Sequence, residues 1–369
     1  MTTASLRKIP ATVVTGFLGA GKTTLIRNLL ARADGRRIAL IVNEFGDMGV
    51  DGELLRGCGD AACADEDVVE LSNGCICCTV ADDFIPTLEM LLSRPTPPDH
   101  IVIETSGLAL PQPLVRAFNW PQIRNRVTVD GVVTVVDGPA VAAGRFAHDE
   151  GAVAAQRAAD DNLDHETPLA ELFDDQLACA DLVVVSKSDL LDEEQANALF
   201  EVVCAKARQG VRIVRSDAGG LSPRVLLGMG VGAENDLDSR AEIHHRHHDD
   251  DHDHDHDHDH DRHHEDAHGH DEFESFALTL PEIRDPAAFR ARVEAAIRDH
   301  DILRLKGFAA VAGKPMRQVV QAVGPRLETY FDRPFGDEPR VTRLVVIGLA
   351  GMDRAAIEAA LAEPAPAMA

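Results

Sequence analysis

The stretch "TGFLGAGKTT", Thr15 to Thr24, constrains the fold of this chain more than any other. Gly16, four residues, Gly21, Lys22 and Thr23 have the spacing of a phosphate-binding loop. The loop directly follows the apolar run "ATVVTG" and directly precedes a helix-period stretch from Thr23 to Ala33. That context predicts a parallel sheet with helices on its faces, because the loop needs a buried strand behind it and a helix N-terminus in front. In such a loop the glycines let backbone N–H groups approach phosphate oxygens, Lys22 neutralises the β and γ phosphates, and the Thr23 hydroxyl ligates Mg²⁺.

The rest of the first two thirds fits that frame. "RIALIV", "HIVIE", "GVVTVV" and "DLVVVS" are short runs rich in Val and Ile, as strands buried on both faces are. Helix-period stretches from Phe84 to Ser93 and from Asp192 to Gln209 lie between or after them. The expected fold class is α/β: a mostly parallel-sheet P-loop domain over residues 1–230, a His/Asp-rich low-complexity linker over 231–272, and a smaller α+β domain over 273–369.

The linker reading comes from composition. "HHRHHDDDHDHDHDHDHDRHHEDAHGHDE", His244 to Glu272, holds thirteen of the seventeen histidines together with ten Asp, two Glu and two Arg. No core can be buried by such a segment, and it reads either as a store for weakly bound divalent ions or as a solvated acidic tether. After it, "FESFALTL" alternates like a strand, "DPAAFRARVEAAIRDH" opens like a helix with an Asp cap and a Pro at the first turn, and "ILRLKGFAAV" and "RLVVIGL" read as strands. With a helix from Asp353 to Leu361, the C-terminal domain is expected to be of β-α-β-β-α-β type.

The formal charge of -26 argues against nucleic acid and anionic membrane as partners. The N-terminal residues do not read as a secretory signal, and no stretch approaches the roughly 18 uninterrupted apolar residues of a membrane span, so a soluble cytoplasmic protein is expected. In a reducing compartment, seven unevenly spaced cysteines point away from a disulfide framework and toward metal binding, catalysis or packing.

Three further motifs carry chemistry. "VVVSKSDLL" places Ser186, Lys187, Ser188 and Asp189 after a strand end, similar to the Asn-Lys-x-Asp motif of GTPases with Ser in place of Asn, and the Asp189 carboxylate can accept from the paired N–H groups of guanine. "NEFGDMG", Asn43 to Gly49, sits where a phosphate-sensing loop belongs. In "ETSG", Glu104 to Gly107, the acid can hold Mg²⁺ through water and the Gly107 N–H can meet a γ-phosphate. Glu44 and Glu104 are the candidates for orienting the attacking water.

"NGCICC" brings Cys75, Cys77 and Cys78 within four residues, beside the Asn-Gly pair at 73 and 74. Two or three thiolates suit a soft or borderline ion such as Zn²⁺ or Co²⁺, and the spacing is not that of a C-x-x-C redox pair. Cys58 and Cys63 lie on a Gly-rich loop; Cys179 and Cys204 lie in helical stretches and are expected in the core.

Taken together, "TGFLGAGKTTL", "VNEFGDMGVD", "NGCICC" and "ETSGLALP" resemble the CobW family of metal-handling P-loop GTPases. The resemblance implies a metal site at Cys75, Cys77 and Cys78 beside the nucleotide, phosphates surrounded by Gly19, Ala20, Gly21, Lys22, Thr23 and Thr24, and the base held by Ser186 to Asp189. It further implies GTP hydrolysis coupled to delivery of Co²⁺ to a client, cobaltochelatase, in cobalamin biosynthesis. The alternatives are a zinc metallochaperone of the same family, a small-molecule P-loop kinase and a metal-storage protein.

Overall fold

The computed structural model describes residues 8–33, 35–43, 68–71, 84–159, 168–217, 220–237, 239–240, 273–300, 302–323, 326–336 and 339–362. They fall into two compact units, one drawn from Met1–Arg208, Ile213–Gly220 and Gly232–Asp271, the other from Gln209–Arg212, Leu221–Val231 and Glu272–Ala369.

The first unit is built on a seven-stranded sheet: β1 (Ile9–Thr15), β2 (Ile38–Asn43), β3 (Val68–Leu71), β4 (His100–Glu104), β5 (Val127–Asp137), β6 (Leu182–Ser186) and β7 (Arg212–Arg215), in the order β3-β2-β4-β1-β5-β6-β7. Every pairing from β3 across to β6 is parallel. Val13 of β1 lies opposite Ile103 on one side and Val132 on the other, and all three are fully buried. This is why the strands read as unbroken apolar runs: helices cover both faces, so alternation has no advantage. The two edge strands escape the sequence reading. "VVEL" and "RIVR" are four residues long and carry charge, the usual composition of a sheet edge.

Helices α1 (Lys22–Leu30), α2 (Ile85–Leu92), α3 (Pro111–Ala117), α4 (Gly138–Ala142), α5 (Glu150–Ala159), α6 (Leu169–Cys179) and α7 (Glu193–Lys206) follow in chain order. In α1, Leu25, Ile26, Leu29 and Leu30 recur at helical spacing and are buried. At its first residue α7 has a capping box: Asp192 accepts from the Gln195 backbone, and the Gln195 side chain accepts from the Asp192 backbone. Of the two cysteines expected in the core, Cys179 is fully buried but Cys204 is exposed, because it falls on the solvent side of α7 while Leu199 and Val203 face inward.

The stretch after residue 231, which composition groups with the linker, is folded over the described residues 232–237 and 239–240. Glu234 is buried and accepts from the Val129 backbone at 2.9 Å and from the Thr128 hydroxyl at 2.7 Å. Arg240 is fully buried: it donates to Asp181 at 2.7 Å and to the Cys179 carbonyl. Specific partners on β5 and at the end of α6 thus hold polar residues whose composition alone suggests solvent. The His/Asp tract itself, 244–272, lies outside the described residues.

The second unit contains the short helix α8 (Pro223–Leu226) and an antiparallel sheet of β8 (Phe273–Leu280), β9 (Ile302–Ala310), β10 (Met316–Val323), β11 (Arg326–Pro334) and β12 (Thr342–Leu349), in the order β11-β10-β9-β12-β8. Helices α9 (Pro286–Asp299) and α10 (Arg354–Leu361) supply Val293, Ile297, Ile357 and Leu361 to a core completed by Leu278, Leu305, Val320, Leu344 and Val346. The element order is therefore β-α-β-β-β-β-α rather than the expected β-α-β-β-α-β. Strands β10 and β11 pass unrecognised because "MRQVVQAV" and "RLETYFDRP" interleave charged and amide side chains with apolar ones. Among the described residues, no helix is long and apolar enough to cross a membrane.

Candidate functional site: a phosphate loop clasped by two turns

Strand β1 lies between β4 and β5, and the chain leaves the C-terminal end of each strand on the same sheet edge. Open parallel sheets bind ligands at such an edge. The loop 16–21 after β1, the turn after Glu104 and the turn after Ser186 therefore converge.

The phosphate loop is held by close packing as well as by its own conformation. Gly16 has φ of 135°, and a Cβ there would lie 2.1 Å from the carbonyl oxygen of Val135 on β5, so no other residue fits. Lys22, buried at the head of α1, folds back over the loop and donates to the carbonyls of Gly16 at 2.8 Å and Phe17 at 3.3 Å. Its ammonium thus stands over the loop, where it can exchange carbonyl for phosphate oxygen. Ala20 is buried, whereas Gly19 and Thr24 are exposed.

The acidic turn lies on one side of this loop. Thr23 Oγ1 donates to Glu104 Oε1 at 3.1 Å. A hydroxyl and a carboxylate at this separation are the hard oxygen donors that Mg²⁺ takes, directly or through water. Thr105 ties the turn to β1, its N–H donating to the Val14 carbonyl at 3.0 Å and its hydroxyl to the Thr15 hydroxyl at 2.9 Å. Gly107 touches the phosphate loop so closely that a Cβ on it would lie 2.6 Å from the Leu18 nitrogen.

On the other side, Ser186 and Lys187 clasp the same loop. Ser186 Oγ lies 2.6 Å from the Ala20 carbonyl and 3.1 Å from that of Val136. Lys187, the one described non-glycine residue with positive φ, at 55°, donates to the Gly19 carbonyl at 2.8 Å and to Asp137 at 2.6 Å. Asp189 sits exposed on the following short 3-10 turn, Ser188–Leu190. The Ser186 hydroxyl thus braces the phosphate loop from the end of β6.

A scan of family models matches residues 10–215 to the CobW/HypB/UreG nucleotide-binding domain. The chain belongs to the CobW/HypB/UreG family. A second model, the cobalamin synthesis protein cobW C-terminal domain, matches residues 273–364. Among relatives, the chain is 57% identical over 364 residues to a protein of Sinorhizobium sp named zinc chaperone CobW, covering 98% of this chain and 99% of that one. It is 52% identical over 358 residues to a protein of the same name in Pseudomonas aeruginosa, covering 96% and 90%. A Schizosaccharomyces pombe protein named zinc-regulated GTPase metalloprotein activator 1 is 34% identical over 203 residues, covering 54% of this chain and 44% of that one. Membership of the CobW/HypB/UreG family makes the first unit a nucleotide-binding domain and accounts for the order of motifs along it.

Of the residues picked from sequence, the fold brings together Gly16, Gly19, Ala20, Gly21, Lys22, Thr23, Glu104, Gly107, Ser186 and Lys187. Glu44, Cys75, Cys77 and Cys78 lie outside the described residues, as do Cys58 and Cys63. Among the described residues, no three His, Cys, Asp or Glu side chains cluster as metal ligands. His100, the first residue of β4, is buried within 2.8 Å of the Thr12 hydroxyl and 3.9 Å of Asp130, away from the loop edge.

Two site residues escape the sequence reading. Asp137, buried, pairs with Lys187 through one oxygen and caps α4 through the other, accepting from the Ala140 N–H at 3.1 Å. Its only signal is an acid at a strand end before Gly-Pro. The second is Gln176 on α6, whose amide lies 3.1 Å from the Gly107 carbonyl.

Proposed function

We propose that this protein is a GTP-hydrolysing metallochaperone that carries Zn²⁺ to a client enzyme in the cytoplasm. The observation that carries the zinc reading is the near-full-length similarity to two proteins named zinc chaperones, at 57% and 52% identity. Cobalt delivery to cobaltochelatase enters only through the likeness to the CobW family, and thiolate ligands favour Zn²⁺ over Co²⁺ in intrinsic affinity. Zinc is therefore the better-supported cargo, and the receiving enzyme is left as a metal-dependent client.

Within this reading, backbone N–H groups of residues 19–24 take the phosphates, Lys22 moves from the loop carbonyls onto the β and γ oxygens, and the Gly107 N–H meets the γ-phosphate. Bound Mg²⁺ would supply charge neutralisation between Thr23 and Glu104. Ser186 and Lys187 keep the phosphate loop at a fixed distance from Asp189, which reads guanine. Glu44 and Glu104 are the candidates for orienting the attacking water. Cys75, Cys77 and Cys78 hold the cargo ion, and GTP assembles that site through the loop from Asn43 onward.

Metal titrations of the full chain with Mg-GTP analogue, Mg-GDP and no nucleotide, in competition between Zn²⁺ and Co²⁺, test this reading. Tighter Zn²⁺ binding with the GTP analogue, and an equal reciprocal gain in nucleotide affinity, is expected. Equal metal affinity in all three states overturns it, and a Co²⁺ preference restores the cobalt alternative. Phosphoryl transfer to a small acceptor would indicate a kinase, and metal uptake unaltered by Lys22→Ala would indicate storage.

A further inference from the structure

Helix α6 touches both the phosphate loop and the acidic turn. Phe173 packs against Phe17 of the phosphate loop, with ring centroids 6.2 Å apart, and both rings meet Phe146. One turn later Gln176, fully buried, directs its amide Nε2 at two carbonyls of the acidic turn, Gly107 at 3.1 Å and Ala109 at 3.2 Å. Both partners are acceptors only, so the NH₂ side of the amide must face them. Its Oε1, equally buried, has no hydrogen-bond partner among the described residues. An unpartnered buried amide oxygen is costly, so what the amide supplies here is its pair of N–H bonds, which an apolar residue of the same volume would take away from the carbonyls of Gly107 and Ala109. The side chain is thus directed specifically at the acidic turn.

The helix that carries it is a fixed support. Its Gln176 carbonyl accepts from Thr134 of β5 at 2.8 Å, and the residues just after it are gripped by two arginines: Arg208 donates to the Ala180 carbonyl at 2.6 Å and to Asp181 at 2.9 Å, and Arg240 to Asp181 at 2.7 Å. Gly107 is therefore confined between Leu18 on one side and a side chain on a braced helix on the other.

We infer that Gln176 is a positioning residue for Gly107: by holding the carbonyls of Gly107 and Ala109 it fixes the acidic turn, so that the Gly107 N–H in the preceding peptide unit stays aimed at the γ-phosphate. This rests on the GTPase reading above. A side chain that acts on Gly107 discriminates triphosphate from diphosphate, because only the former reaches that N–H. A residue serving packing alone does not.

The test is Gln176→Met in the full chain, with steady-state GTP hydrolysis, titrations of GDP and a non-hydrolysable GTP analogue, and thermal melting. The expected result is a GDP affinity within about twofold of wild type, with kcat and analogue affinity each reduced by about tenfold, the scale of one or two neutral hydrogen bonds. Gln176→Asn keeps an amide but is one methylene short of both carbonyls, and reads the same quantities if the Met variant does not fold. An unaltered kcat and GTP-to-GDP affinity ratio in a folded variant overturns the inference, as does an equal loss for both nucleotides accompanied by a lower Tm. A wild-type chain that binds neither nucleotide overturns the GTPase reading itself, whereas an active wild type beside an unaltered variant overturns only the role of Gln176.

Discussion

Lys187 Nζ donates to the Gly19 carbonyl at 2.8 Å, so a side chain 168 residues further along closes the phosphate loop from the base side. The same ammonium pairs with the buried carboxylate of Asp137 at 2.6 Å, which caps α4 with its other oxygen. Three elements thus meet at one charge, and the loop's shape depends on β5 and β6 as much as on its own glycines.

Lys187→Met is expected to weaken binding of GDP and of a GTP analogue alike by roughly 10- to 100-fold, the scale of a charged hydrogen bond worth about 1.5 to 3 kcal/mol. Asp137→Asn has one amide oxygen in place of two, so it can cap α4 or accept from Lys187 but not both, and a loss approaching that of Lys187→Met is expected. Titration with a fluorescent guanine nucleotide measures both, and an unaltered affinity in Asp137→Asn would count against Asp137 acting through Lys187.

Glu104 meets Thr23 at 3.1 Å from the opposite side. Glu104→Gln preserves shape and removes charge where Mg²⁺ is expected, so kcat for GTP hydrolysis should fall by about 100-fold. Nucleotide affinity measured without Mg²⁺ should be unaltered. A matched loss with and without Mg²⁺ would show that Glu104 supports the loop rather than the ion.

The pair of Arg240 with Asp181 is almost wholly buried, with side-chain exposures of 0% and 6%. Truncating one member of a buried pair leaves the other charge short of a partner, and Arg240→Met is expected to cost about 3 kcal/mol. For a unit of this size that corresponds to a fall in Tm of roughly 6 to 12 °C, read by calorimetry of the full chain. Retention of Arg208 on Asp181 should keep the variant folded at room temperature.

Burial pushes the Cys179 thiol from 9.0 up to about 11, against the opposing pull of Arg240. Between pH 9 and 11 the unfolded chain releases this proton and the folded chain keeps it. The stability from this thiol is therefore complete below pH 9 and is lost as pH rises through 11, a loss of about 3 kcal/mol. Cys179→Ala should flatten that part of a stability-against-pH curve. Alkylation at pH 8 followed by peptide mapping should label exposed Cys204 and spare Cys179 until the chain is unfolded.

The central strands and the phosphate loop were legible because their signals are local. "TGFLGAGKTT" carries its spacing within ten residues, and β1, β4 and β6 are built around runs of Val, Ile and Leu because both faces are covered. The strands of mixed composition were not legible: β3, β7, β10 and β11 mix charge with apolar residues, and their strand identity comes from pairing partners. Cys204 misled for a related reason. A cysteine on a helix reads as core, but its place on α7 is set by which face meets the sheet.

Sequence by itself determined that a phosphate loop, an acidic turn and a Ser-Lys-Ser-Asp turn occur in the order of a nucleotide-binding α/β domain, since each motif is defined by residues a few positions apart. Tertiary structure alone decided how they act on one another. Lys187 reaching Gly19, Asp137 holding Lys187, Gln176 holding Gly107 and Arg240 bracing the end of α6 span between 50 and 168 residues of chain. No local pattern encodes such pairs, because a hydrogen bond depends on which strands lie side by side, and the strand order follows from burial of the whole sheet.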